Sequence, residues 1–316
     1  MTPAIAALLP ICALVAIGWG AAVAGVLDRQ VGIAFGHYAI RIGIPVLVFH
    51  AVMASDFSVI SPWVLWACYF PAAALSWALG HLLILKVLRR DERTSVIAGV
   101  GSAFANTAFV GLPLARAVYG EHGVIIVTIL ISIHMPVMMT AATLLMERAQ
   151  RRMDGHAETS APALAGQLLR NLATNPIIIA LLLAVAFRLS GLPLPDFVNQ
   201  QVAVLAEIAG PLALISIGIG LRDRGLTGDV GPAVVVTFIK LLVMPALVLV
   251  ACFFAGLDVA TTGPLVLLAG VPAGVNVHLV AVQFRAGQAL GAGVVLLTTV
   301  ASAFTSAAWL TWLAHA

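Results

Sequence analysis

Continuous apolar runs of about twenty residues, recurring along almost the whole chain, constrain this sequence more than any motif does. Such a run matches the roughly 30 Å hydrocarbon core of a bilayer at 1.5 Å of helix rise per residue. Ten runs are read, at about 4–25, 31–54, 62–86, 94–119, 123–146, 172–190, 197–221, 232–255, 261–284 and 289–314. Charged or Gly/Pro punctuation separates them. No Lys or Arg precedes the first run, so it is read as a span and not as a cleaved leader, which needs a basic start. A mean hydropathy of +1.09 and a charged fraction of 9% exclude a soluble domain, in which about a quarter of residues are charged. A closed β-barrel is excluded too, because its strands alternate over about ten residues. The expectation is an all-α polytopic membrane protein.

The basic residues decide orientation. Arg29, Lys86, Arg89, Arg90, Arg93, Arg148, Arg151, Arg152, Arg170, Arg222, Arg224 and Arg285 fall on one side of the spans, twelve of the sixteen in the chain. Arg188 alone sits at the opposite surface, while Arg41, Arg116 and Lys240 lie inside spans. The positive-inside rule makes the side with twelve cytoplasmic and puts both termini outside. The basic pI of about 9.0 then reflects topology, and nucleic acid drops out as a partner.

The longest polar segment, 147–171, joins a first set of five spans (1–146) to a second (172–316). Five is odd, so the second set runs through the membrane inverted relative to the first. Arg41 four residues before Pro45, and Glu207 four before Pro211, can be laid over each other as repeat equivalents in spans two and seven.

Spans four and nine are interrupted in corresponding places. Gly111 and Pro113 follow Asn106-Thr107 in the first; Gly270, Pro272 and Gly274 precede Asn276 in the second. Proline removes a backbone donor and pushes the preceding residue out of the helical region, while glycine makes the break cheap. Broken helices survive in hydrocarbon only where the freed groups face protein or a wet cavity. Paired interruptions in two inverted halves point to a transporter's substrate site. Pro113 and Pro272 are expected in the first turn of the second half-helices, where a missing donor does no harm. The converging N-termini would hold an anion without a basic side chain, and the opposing carbonyl ends could hold a cation.

The run Asn106-Thr107-Ala108-Phe109-Val110-Gly111-Leu112-Pro113-Leu114 resembles the fourth-span signature of the auxin efflux carrier family. Pro272-Ala273-Gly274-Val275-Asn276 with Ala281 is similar to the ninth-span signature of its bacterial members. Ala209-Gly210-Pro211-Leu212-Ala213-Leu214 with Gly218 resembles the seventh, and Lys240 with Pro245 the eighth. The resemblance implies ten spans as two five-helix inverted repeats, with broken helices four and nine crossing at the site. It also implies substrates that are mostly organic anions, such as malonate or malate in bacterial carriers. The chain departs from the plant exporters in lacking a long central loop and in having Asn276. A small mono- or dicarboxylate and a bacterial cytoplasmic (inner) membrane are therefore expected.

The substrate-binding candidates are Asn106, Thr107, Gly111, Pro113, Arg116, Pro272, Gly274 and Asn276. Asn106 can instead be interhelical glue, and Thr107 can bond its own backbone. Arg116 can face a carboxylate or snorkel outward. A basic residue at span centre costs roughly 2.5–3.5 kcal/mol, so Arg41 and Lys240 each need a partner. For Lys240 a structural tie to a carbonyl competes with binding. Of thirteen acidic residues only Glu207 lies well inside a span. It can pair with Arg41 or carry a proton across, with sodium as the other candidate co-ion. His134 and His278 are intramembrane imidazoles, read as packing residues before proton carriers. The eight histidines and three cysteines show no metal-ligand spacing, so neither a metal nor another cofactor is expected. Absence of GxSxG, HExxH or a paired-Asp motif argues against an enzyme. The expected function is secondary active transport; a channel or an anion sensor of the same fold is the alternative, and a homodimer is compatible with the sequence.

Overall fold

The computed structural model describes residues 3–54, 61–154, 166, 170, 173–174, 176–223, 230–274 and 276–313. Most of the 147–171 linker, with Asp56, Glu158, Arg224 and Asp229, lies outside them. Within them the chain is helical, apart from loops and one isolated antiparallel bridge between Ala105 and Ala273.

In chain order the helices are α1 (Pro3–Val23), α2 (Arg29–Tyr38), α3 (Ile44–Ala54), α4 (Pro62–Leu82), α5 (Glu92–Ala103), α6 (Leu112–Asp154) and α7 (Pro176–Leu189). Then come α8 (Asp196–Asp223), α9 (Val230–Phe238), α10 (Met244–Phe254), α11 (Val259–Gly270), α12 (Asn276–Gln283) and α13 (Gln288–Leu313). Helix α6 is broken at Gly120, whose φ of 61° and ψ of −147° are not helical.

Three helices begin on the same device. The carboxylates of Asp28, Asp91 and Asp258 accept the backbone N–H of Val31, Thr94 and Thr261, each at 2.9 Å. An Asp at the N-cap satisfies one of four orphan donors and complements the positive helix end.

Three wide π-helical turns share another device. Ala39–Gly43, Thr107–Gly111 and Ile239–Val243 each end two residues before a proline, Pro45, Pro113 and Pro245 respectively. Proline's ring clashes with the carbonyl four residues back, and widening the turn relieves that clash without ending the helix. The Leu241 carbonyl, which Pro245 leaves without its usual donor, receives the indole N–H of Trp309 at 3.0 Å. A neighbouring helix thus restores a bond that hydrocarbon could not supply.

Among the described residues six helices are long and apolar enough to cross a membrane: Arg29–His50, Pro62–Val87, Thr107–Met153, Asp196–Gly220, Val230–Phe254 and Gln288–Leu313. Shorter apolar helices lie at Ala13–Val23, Ile178–Leu189 and Val259–Gly270. Counting ten spans requires these shorter helices, and the two sides of Gly120, to be taken as spans.

Two compact units emerge, and both draw on segments from either side of the 147–171 linker. The first comprises Met1–Pro62, Thr107–Ile133 and Leu172–Asp223. In it α1 lies backbone to backbone on α8. A Cβ at Gly18 would collide with the Ile215 carbonyl, and one at Gly218 with that of Val15. Small residues permit this approach, which apolar packing between membrane helices depends on. Side chains then tie the helices through backbone carbonyls: Ser216 donates to Gly32 at 2.7 Å, Arg188 to Val52 at 2.8 Å, and Arg222 to Ala22.

The second unit comprises Trp63–Asn106, His134–Asn171 and Arg224–Ala316. Its centre is the pair α5 and α11, in which every residue from Thr94 to Ala103 and from Thr261 to Gly270 is buried. Helices enclosed on all sides sit inside a bundle rather than at its edge.

Candidate functional site: two paired helix interruptions

Helices α5 and α11 have the same construction. Each starts on an Asp cap with Thr three positions later and runs twelve residues. Each is preceded, two residues before the cap, by a left-handed residue: Arg89 at φ 51° and Gly256 at φ 67°. Each ends in extended chain, with ψ of 95° at Phe104 and 160° at Val271.

The extended pieces then pair. Asn106 N–H donates to the Pro272 carbonyl and Gly274 N–H to the Phe104 carbonyl, both at 2.8 Å. This pattern makes Ala105 and Ala273 a non-hydrogen-bonded antiparallel pair, the narrow kind, with Cα atoms about 4.5 Å apart. Two alanines suit that spacing. Pro272 has no N–H to return to Asn106, so the ladder ends after two bonds.

Neighbouring helices meet two further groups. Ala273 N–H donates to the Thr298 hydroxyl at 3.0 Å, and that hydroxyl donates to the Val294 carbonyl at 2.7 Å. The ammonium of Lys240, wholly buried in the π turn before Pro245, donates to the Ala269 carbonyl. Cations are favoured at the negative carbonyl end of a helix, so Lys240 serves α11 as a C-terminal cap. A tie to a carbonyl is one of the two roles read for Lys240.

The predicted residues fall as follows in this second unit. Asn106 is 6% exposed, and its carboxamide has no hydrogen-bond partner among the described residues. Pro272 and Gly274 are buried in the paired strand, and Asn276 is the half-buried first residue of α12. The expectation that Pro272 opens the second half-helix is corrected: it lies in extended chain, and α12 starts four residues later, because the strand pairing uses its carbonyl. Gly274 has ordinary space around it, with a hypothetical Cβ 3.6 Å from the nearest atom. His134 is fully buried in a ring of aromatics, 5.5 Å from Tyr69 and 5.3 Å from Phe104 between centroids. The Tyr69 hydroxyl lies 3.4 Å from its Nε2. His278 is half-buried on α12.

In the first unit Thr107 opens its π turn and Gly111 closes it, both buried. Pro113 is the second residue of α6, and the π turn Thr107–Gly111 runs directly into it. Arg116 is exposed, donating to Glu121 at 3.1 Å. Arg41 and Glu207 are both exposed, and among the described residues no ion pair joins them. No group of three or more metal-ligating side chains occurs among the described residues.

Thr298 and Trp309 escaped the sequence reading. In the run Thr298-Thr299, nothing separates the threonine that reaches a strand from one that bonds only its own helix.

A family model described as membrane transport protein matches residues 3–310. An uncharacterized transporter of Methanothermobacter thermautotrophicus is 25% identical over 308 residues, 95% of either chain. A protein of Rhizobium meliloti, provisionally named a malonate transporter, is 25% identical over 233 residues, 73% of this chain and 70% of that one. An uncharacterized transporter of Methanocaldococcus jannaschii is 22% identical over 306 residues, 94% of each. A match over nearly the whole length, on a chain of long apolar helices, makes this a multi-pass membrane protein and not an enzyme: it belongs to the membrane transport protein family, the auxin efflux carriers.

Proposed function

We propose that the chain is a secondary active transporter that moves a small organic anion, a mono- or dicarboxylate, by alternating access. The observation that carries this is the pairing of two interrupted helices of like construction at Ala105 and Ala273. Their antiparallel run supports ten spans arranged as two inverted repeats, 1–146 and 172–316, with helices four and nine crossing. The basic face is then cytoplasmic in a bacterial inner membrane, with both termini outside.

The chemistry of the crossing favours an anion. Three of its carbonyls are engaged: Phe104 and Pro272 accept from the opposite strand, and Ala269 accepts from Lys240. The Asn106 carboxamide stays available, near the start of α12 at Asn276, where Val277 N–H already donates to the Gly274 carbonyl. A helix start attracts a carboxylate. A proton is the favoured co-ion, carried by Glu207, the one acid read from the sequence as lying well inside a span. The Rhizobium meliloti relative is in keeping with a dicarboxylate. Thr107, Gly111, Pro113 and Arg116, read from the sequence as substrate-binding candidates, belong to the same proposal.

Purified protein in proteoliposomes should take up labelled malonate with saturation and accelerate exchange against malonate inside. Asn106→Ala should lower uptake at least tenfold, about 1.4 kcal/mol or more of lost stabilisation, with unchanged expression and melting temperature. Wild-type uptake in that variant would remove the site. Flux without saturation or exchange would favour a channel.

A further inference from the structure

Lys240 is a cation enclosed on all sides. Its side chain has no exposed surface, and the Ala269 carbonyl is its one hydrogen-bond partner among the described residues. A helix carbonyl end carries about half a negative charge, so the ammonium is only partly balanced. No carboxylate pairs with it among the described residues. Asp91 and Asp258 cap the far ends of α5 and α11, and Glu92 meets Arg152. Asp258 stands about 16 Å from Ala269 along α11, and Glu147 about 20 Å past His134 along α6. The neighbouring His134 feels the Lys240 charge and brings no negative charge of its own.

This cation stands beside the paired strands. From Ala269 to Pro272 the chain spans at most about 11 Å, and the Pro272 carbonyl accepts the Asn106 N–H. The turn that carries Lys240 is seated there: Pro245, which follows it, lies 3.9 Å from a Cβ built on Gly270. His134 reaches the other strand through Phe104, 5.3 Å away between centroids. Ionisable residues inside membrane bundles pair with one another or mark the path of a charged substrate. Across roughly 10 Å, at an effective dielectric of about 20, one unit charge alters the binding of another about tenfold. Lys240 is therefore close enough to be felt by a ligand at Asn106 without touching it.

We propose that Lys240 selects the charge of the transported anion. Held on the carbonyl end of α11, it raises affinity about tenfold for each negative charge on the ligand, and so favours a dianion over a monoanion of the same shape. This rests on the reading of the chain as an organic-anion carrier and adds the origin of its charge preference. Lys240 is a positioning residue, acting through its field. Tie and field are separable, because the tie needs only a donor whereas the field needs the charge.

The test is titration calorimetry of purified protein in detergent with three ligands of one shape: malonate, a dianion; malonamate, a monoanion; and malonamide, uncharged. Wild type should bind malonate about tenfold more tightly than malonamate, and malonamide most weakly. In Lys240→Gln, which keeps an amide donor for the Ala269 carbonyl, the preference for malonate should disappear; in Lys240→Arg it should stay. Lys240→Met, an apolar replacement of like length, should lose it too, and serves where the Gln variant does not fold. A role as a tie alone would lower the melting temperature and leave the preference unmoved. Equal binding of malonate and malonamate by wild type, or a preference that survives in folded Lys240→Gln or Lys240→Met, overturns the proposal. Wild type that binds malonate with this preference but does not take it up would end the carrier reading and leave the charge selection standing.

Discussion

Single buried donors hold the paired interruptions together, and each can be tested alone. Thr298→Val removes the acceptor of the Ala273 N–H and leaves that amide buried and unmet, which costs about 1–3 kcal/mol. Thr298→Ser keeps the hydroxyl and should cost much less. Melting curves of the two variants in detergent decide it; equal losses would mean that the methyl packing matters and the bond does not. At the cap of α5, Asp91 is raised by partial burial but lowered further by the Thr94 hydroxyl and amide and by the Arg93 charge. The net effect holds its carboxyl below the ordinary Asp value. A folded pKa below the unfolded one gives stability that is whole above about pH 4 and is lost as pH falls through the folded value. Asp91→Ala should therefore cost about 1 kcal/mol at neutral pH and flatten the acid limb of a stability–pH curve; an unchanged limb would remove Asp91 from acid unfolding. Asn106 was legible at this scale because an amide among glycines and alanines stands out. Thr298 and Lys240 were less so, because their partners, Ala273 and Ala269, lie 25 and 29 residues away.

The helix limits follow from hydropathy, and the interruptions follow from Gly and Pro placed near an Asn. What hydropathy does not carry is how a proline is absorbed. Pro113 lies in the first turn of α6, a position proline favours, and the chain also widens the turn before it, as it does before Pro45 and Pro245. The choice depends on whether a neighbour can meet the freed carbonyl, which for Leu241 is Trp309. A coupling follows. Trp309→Phe should cost about 1 kcal/mol in the wild type and less in a Pro245→Ala background, where the restored N–H can serve Leu241. Equal costs in a double-mutant cycle would show that the two groups act independently.

For the whole molecule, Glu207, exposed on α8, is the acid that the sequence reading places well inside a span. If it carries the proton, Glu207→Gln in proteoliposomes should lose accumulation driven by a pH gradient while keeping substrate exchange; pH dependence unchanged in folded protein would end that reading. The narrow pairing of Ala105 with Ala273 has a further consequence as a place for a rivet. Cα atoms about 4.5 Å apart fall within the span that a disulfide bridges. In a background with Cys12, Cys68 and Cys252 changed to Ser, cysteines at 105 and 273 should oxidise readily. The closed loop would be long, worth about 5 kcal/mol against unfolding in the chain-entropy account. Because the two strands already share backbone bonds and are braced by Thr298, the riveted protein should still transport. Transport that stops on oxidation and returns with reductant would instead make the parting of those two strands a step of every cycle.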